Sequence, residues 1–130
     1  MSSFSAILDA CVLAQRAVCD TLLRAAEAEL YRVQWSPDIL TEMERTLHRL
    51  NVRAGRPDAE RKAQRLIAEL RVAFPEALVS GYADLLPAMR NDEKDRHVLA
   101  AAVVGRAQAI IAWNTRHFPA VARDPYGSRC

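Results

Sequence analysis

From Val98 to Val104 the chain is apolar without a break, and this run follows directly on the charged stretch Asn91-Asp92-Glu93-Lys94-Asp95-Arg96-His97. The pattern predicts a helix reaching to about Ala107. Because nearly every side of it is apolar, the helix has no solvent face and must be packed between other elements. Asp95 stands at the junction, in the first turn. Unpaired N–H groups and the positive end of the helix dipole favour a carboxylate there. Two readings of Asp95 follow. It caps a buried helix, or it is one corner of a carboxylate cluster that holds a divalent metal.

The remaining elements alternate. Phe4-Ser5-Ala6-Ile7-Leu8 is a short apolar run closed by Asp9 and reads as a buried strand. A helix follows from about Val12 to Glu29, with Val18, Leu22, Leu23, Ala26 and Leu30 at helical spacing. Tyr31 to Trp35 reads as a second strand. Ser36-Pro37 then supplies an N-cap and a first helical residue, and the helix runs to about Leu50 on a Leu40, Met43, Leu47, Leu50 stripe. Asn51 to Arg56 reads as a loop and Pro57 to Ala73 as an amphipathic helix. Ala77 to Ser80 is a candidate third strand, and Asp84 to Met89 a turn or short helix. Ala109 to Trp113 is the last clear strand, with a further helical turn over Thr115 to Val121. Strands alternating with helices imply an α/β domain with a mainly parallel sheet.

The chain has 130 residues, 51% of them hydrophobic and 26% charged, with a net charge of +2. Such a length and composition suit one globular domain over residues 1–130. The three cysteines have no C-x-x-C spacing. They suggest neither a zinc site nor a disulfide framework, and Cys11 and Cys19 read as small core residues of a reducing cytoplasm. No apolar run is long enough for a membrane span, and the N-terminus lacks signal-peptide character. His48, His97 and His117 have no zinc spacing and read as structural or surface residues, although His97 and His117 fall near the candidate site. A Gly-rich phosphate loop and a G-x-S-x-G elbow are both absent.

In an open α/β sheet, ligands bind beyond the carboxyl ends of the strands where strand order reverses. Asp9 follows the first strand and Asn114 the last. Glu42 lies about a turn and a half into its helix, and Asp95 opens the buried helix. Oxygen ligands of this kind suit Mg²⁺ or Mn²⁺ rather than zinc. Plainer roles stand beside each. Asp9 could cap the next helix, Glu42 could pair with Arg45 or Arg49 on a solvated face, Asp92 could be a loop charge, and Asn114 could be a turn residue.

Four stretches in order, Ile7 to Leu13, Trp35 to Arg45, Asp95 to Ala102 and Ile110 to Pro119, resemble the PIN-domain family, and within it the bacterial VapC-type toxins. The resemblance covers nearly the whole chain. It implies a three-layer α/β/α domain with a parallel sheet, here with the last strand, expected after Gly127, missing. It also implies a metal-dependent endoribonuclease, the toxin of a type II toxin–antitoxin system. Carried over residue by residue, it makes Asp9, Glu42 and Asp95 the catalytic acids. Asp9, Asp95, Glu42 and Asn114 become the metal ligands. Asp20, Asp92, Arg96, Thr115 and Arg116 become supporting or substrate-contacting residues. Two departures stand out: Asn114 where many members have an acid, and Ala112 where many have Thr or Ser. The implied partners are Mg²⁺ or Mn²⁺, an RNA substrate, a cognate antitoxin and a second copy of the chain, with no membrane. The alternative is a non-catalytic PIN-like module that binds RNA or protein. A receiver-like domain is less well matched, because the paired acids after its first strand are absent.

Overall fold

The computed structural model describes residues 4–89 and 95–113. Three parallel strands, β1 (Ser5–Leu8), β2 (Arg32–Gln34) and β3 (Ala109–Ile111), form a sheet in the order β2-β1-β3. The helices are α1 (Ala10–Leu13), α2 (Arg16–Glu27), α3 (Pro37–Arg53), α4 (Ala59–Ala73) and α5 (Arg96–Val104), with a 3₁₀ helix at Ala83–Ala88. The chain is thus the α/β domain with a parallel sheet that the alternation implies. The first connection leads from β1 to one side of the sheet and the second returns to the other side. Strand order therefore reverses at β1, whose carboxyl end opens into the switch-point crevice.

The apolar helix holds the expected place. Val98, Leu99, Ala100, Ala101 and Ala102 are fully buried, and α5 packs on β1, β3 and the 3₁₀ helix. The burial stops earlier than the sequence run, since Val104 is 39% exposed. At its far end the sheet is stitched by Gln108, whose Oε1 accepts from the Ser5 backbone N at 2.6 Å and from Ser5 Oγ at 3.0 Å. Ser5 is fully buried, so these bonds satisfy a polar group that would otherwise be orphaned. Trp35, also fully buried, makes a T-shaped contact with Phe74, ring centroids 5.7 Å apart.

Several boundaries differ from the sequence pattern, each for a local reason. The single helix expected over Val12 to Glu29 is two helices, broken at Ala14-Gln15. Asp9 starts the first turn at once by accepting from Ala10 N at 2.8 Å, and no Gly or Pro marks the break. Asn51 to Arg53 belong to α3 rather than to a loop. That helix continues until Gly55, at φ +68°, closes it with Arg56 N donating to Asn51 O and Gly55 N to Val52 O, a Schellman end. Its start is as expected, with Ser36 Oγ accepting from Ile39 N at 3.1 Å and Pro37 next. Pro57 lies ahead of α4, which begins at Ala59. Ala77 to Ser80 forms no strand. It makes one bridge, in which Trp35 N donates to Ala77 O and Val79 N to Trp35 O. The last strand ends at Ile111, and Trp113 is exposed. The turn expected over Thr115 to Val121, and the region after Gly127, lie outside the described residues.

The helix α5 ends at Val104, short of Ala107, in another Schellman closure: Ala107 N donates to Ala102 O and Arg106 N to Val103 O. Here the left-handed position falls on Arg106, at φ +56°, rather than on the adjacent Gly105. The glycine answers a different need. A Cβ at Gly105 would stand 2.7 Å from Gln34 Oε1 and 2.9 Å from Val79 Cγ2, so its bare backbone lets the helix end approach β2. A non-glycine residue in the left-handed region costs about 1–2 kcal/mol, part of which is offset by the greater unfolded freedom of glycine. Arg106→Gly is therefore expected to stabilise the fold by about 0.5–1 kcal/mol, measured as a higher urea midpoint at unchanged slope.

Candidate active site

The site is built from the carboxyl end of β1. The Asp9 backbone N donates to Ile111 O at 3.0 Å, which ties the residue to the end of β3 as well as to its own strand. Its carboxylate is buried. One oxygen accepts from Ala10 N, and the other lies 3.4 Å from the Cys11 thiol. Asp9 does cap α1, as the plainer reading had it. Burial raises its pKa, the Ala10 and Cys11 hydrogen bonds lower it, and the charges of Asp95 and Glu42 raise it further, with a net upward shift. The charges of Asp95 and Glu42 therefore reach Asp9. Burial and the neighbouring Asp9 also push the Cys11 thiol up to about 11, so it remains protonated at neutral pH.

Asp95 occupies the N-cap position of α5, but its side chain makes no capping hydrogen bond. The capping reading of this carboxylate is corrected accordingly. The cause lies in the backbone: at φ −107° and ψ 7° it departs from the extended conformation usual at an N-cap. Arg96, the next residue, is half-buried at the start of α5.

Glu42 does not pair with Arg45 or Arg49. Its Oε1 lies 2.7 Å from His97 Nε2, across from α3 to α5. One turn earlier on α3, Asp38 Oδ2 accepts from the Tyr82 hydroxyl at 2.5 Å. Burial and Asp38 together raise the Tyr82 pKa. Burial pulls the His97 pKa down, yet the Glu42 hydrogen bond and charge, followed by the charges of Asp38 and Asp9, bring it above its ordinary value. His97, Asp38 and Tyr82 are the site residues that spacing did not single out as a set. The signal for His97 was its position two residues after Asp95, in the same first turn. Asp38 precedes Glu42 by four residues on one helix face. Tyr82 carried no local signal.

Asp20 stands on the exposed side of α2, with Arg16 at 4.0 Å. Asp92, Asn114, Thr115, Arg116 and His117 lie outside the described residues. Among the described residues, no three His, Cys, Asp or Glu side chains form a set that could hold a metal ion. In kind, the donors Asp9, Glu42 and Asp95 fit a hard divalent cation: all are oxygen ligands, and the burial and neighbouring charges that raise the Asp9 pKa penalise a charge that a cation would stabilise. No helix among the described residues is long and apolar enough to cross a membrane.

Comparison with known families matches residues 5–116 to the PIN domain. The chain belongs to the PIN domain family. It is also 56% identical over 50 residues to a Mycobacterium tuberculosis (strain ATCC 25618 / H37Rv) protein named "Putative ribonuclease VapC50". That alignment covers 38% of this chain and only 30% of the relative's length. No solved structure matches the chain.

The Asp9 shift has a direct consequence for the stability of this PIN domain. Its folded pKa lies above the unfolded value of 3.8, so the native state binds more protons than the unfolded one between those two values. The stability that Asp9 contributes when protonated is fully present below 3.8 and is lost as pH rises through the folded pKa. Asp9→Asn keeps the acceptor for Ala10 N without the charge. In chelator-treated protein at pH 7 the variant is expected to unfold at a higher temperature than the parent. The gap should close as the pH is lowered towards 3.8, and a constant gap in the melting curves would contradict the assignment.

Proposed function

We propose that the chain is a Mg²⁺- or Mn²⁺-dependent endoribonuclease, the toxin component of a type II toxin–antitoxin system. Membership of the PIN domain family and the likeness to a protein named as a ribonuclease support this reading. The observation that carries it is that the charges of Asp95 and Glu42 reach the buried Asp9, which stands at the carboxyl end of the central strand.

Asp9, Asp95 and Glu42 would hold the ion, with Asn114 as a further oxygen ligand. When bound, the ion would supply Lewis acidity and a more acidic water for phosphodiester hydrolysis. The acids alone repel an RNA backbone, so basic groups must offset them. Arg16, Arg45, Arg49, Arg96 and Arg116 are the residues proposed to steer it, with Asp20, Asp92 and Thr115 in supporting roles. The expected partners are an RNA substrate, a second copy of the chain, and an antitoxin segment that sets a basic side chain against the acids. The proposed location is the cytoplasm.

The second reading is a non-catalytic module that binds RNA or protein. It is favoured by the lack of a ready three-donor set among the described residues and by the engagement of Glu42 with His97. RNA cleavage in Mg²⁺ or Mn²⁺, with and without chelator, separates the two. The parent is expected to cut only with metal. Asp9→Asn and Asp95→Asn should lose at least about 100-fold, since even groups behind metal ligands are worth about 10–100-fold. Cleavage by both variants at the parental rate sinks the nuclease reading, and RNA binding without any metal-dependent cleavage supports the second one.

A further inference from the structure

The His97–Glu42 contact is unusual in which partner gives something up. Glu42 is 39% exposed at its side chain, so water could hydrate it unaided, whereas the His97 side chain is only 13% exposed. The ring is buried to reach a carboxylate that needs no buried partner. The other ring nitrogen, Nδ1, is buried with no hydrogen-bond partner among the described residues. A histidine placed to knit the fold would use both nitrogens, because a buried orphan carries a penalty. Among the described residues, the single polar link of His97 is to Glu42 Oε1. A neutral ring that donates from Nε2 leaves Nδ1 as a bare acceptor.

We propose that His97 is the positioning residue for Glu42: its Nε2–H holds Oε1, fixes the carboxylate rotamer and leaves Oε2 as the oxygen presented to a divalent cation. This rests on the metal-nuclease reading above. The geometry gives α5 two tasks. It carries Asp95 at its start and, two residues on, the donor that sets the acid arriving from α3. Asp38 is held in the same way by Tyr82, so two like charges four residues apart on α3 are each oriented by a donor from another element. A long Glu side chain has three rotatable torsions, and holding one oxygen removes most of that freedom before the cation arrives. The ordering is then not charged against binding. Groups that orient metal ligands in this way are worth about 10–100-fold in affinity.

The test is Mn²⁺ affinity by calorimetry, with thermal unfolding recorded on each variant. His97→Asn carries an amide N–H that is too short to reach Glu42, whereas His97→Gln places its amide nitrogen near the position of Nε2. Both substitute one polar side chain for another, so the pair remains informative even if His97→Ala fails to fold. Expected is a loss of about 10–100-fold for His97→Asn, recovery of most of it in His97→Gln, and no further loss when His97→Asn is added to Glu42→Ala. Equal affinities for parent, Asn and Gln variants overturn the proposal while leaving the metal reading intact, provided Asp9→Asn abolishes binding. A loss in His97→Asn that persists unchanged in the Glu42→Ala background also overturns it, because His97 would then act by another route. A parent that binds no Mn²⁺ overturns the metal reading and this proposal with it.

Discussion

Burial of α5 is the constraint on which the site depends. Val98 through Ala102 are fully enclosed between β1, β3 and the 3₁₀ helix, and full burial of residues such as Val98 and Leu99 contributes about 1.5–3 kcal/mol each. The three alanines matter for a different reason: they let the helix sit close to the sheet. A helix held on this scale cannot rotate to relieve strain at its own start. Asp95 and His97 are therefore delivered to the switch-point crevice whether or not their local surroundings favour them there. Gly105 completes the constraint at the other end, where its bare backbone admits Gln34 and Val79.

Against that rigid placement stands a cluster of like charges. Burial penalises the charge of Asp9, and the charges of Asp95 and Glu42 add to that penalty. Among the described residues, donors from other groups meet these carboxylates: Ala10 N and the Cys11 thiol for Asp9, His97 for Glu42, Tyr82 for Asp38. Such donors orient a carboxylate. That arrangement suits a cation site, and it also explains why the same residues read equally well as caps and surface charges when taken one at a time.

How much could be read from the chain depended on the range of the interaction. The strand before Asp9, the Ser36-Pro37 start of α3 and the buried helix after Asp95 were all legible, because periodicity and capping act over a few residues. The break at Ala14-Gln15 was not, since neither Gly nor Pro marks it and the apolar spacing runs through it. The end of α3 was misplaced because the apolar stripe stops at Leu50, whereas the backbone continues until Gly55 supplies a left-handed residue. At α5 the expected rule was inverted: Gly105 serves packing, and Arg106 takes the strained conformation. The capping role of Asp95 failed because its backbone, at φ −107° and ψ 7°, is not in the extended conformation of an N-cap.

By itself the sequence determined the alternation of strands and helices, the buried character of the segment after Asp95, and the resemblance that named the three acids. These are properties of short stretches and their order. Only the tertiary structure decided that β1 lies at the centre of the sheet, that the charges of Glu42 and Asp95 reach Asp9, and that Glu42 faces His97 rather than Arg45 or Arg49. The physical reason is that orientation of a side chain across 55 positions of sequence is set by how α3 and α5 dock on the sheet, and no local propensity encodes that docking.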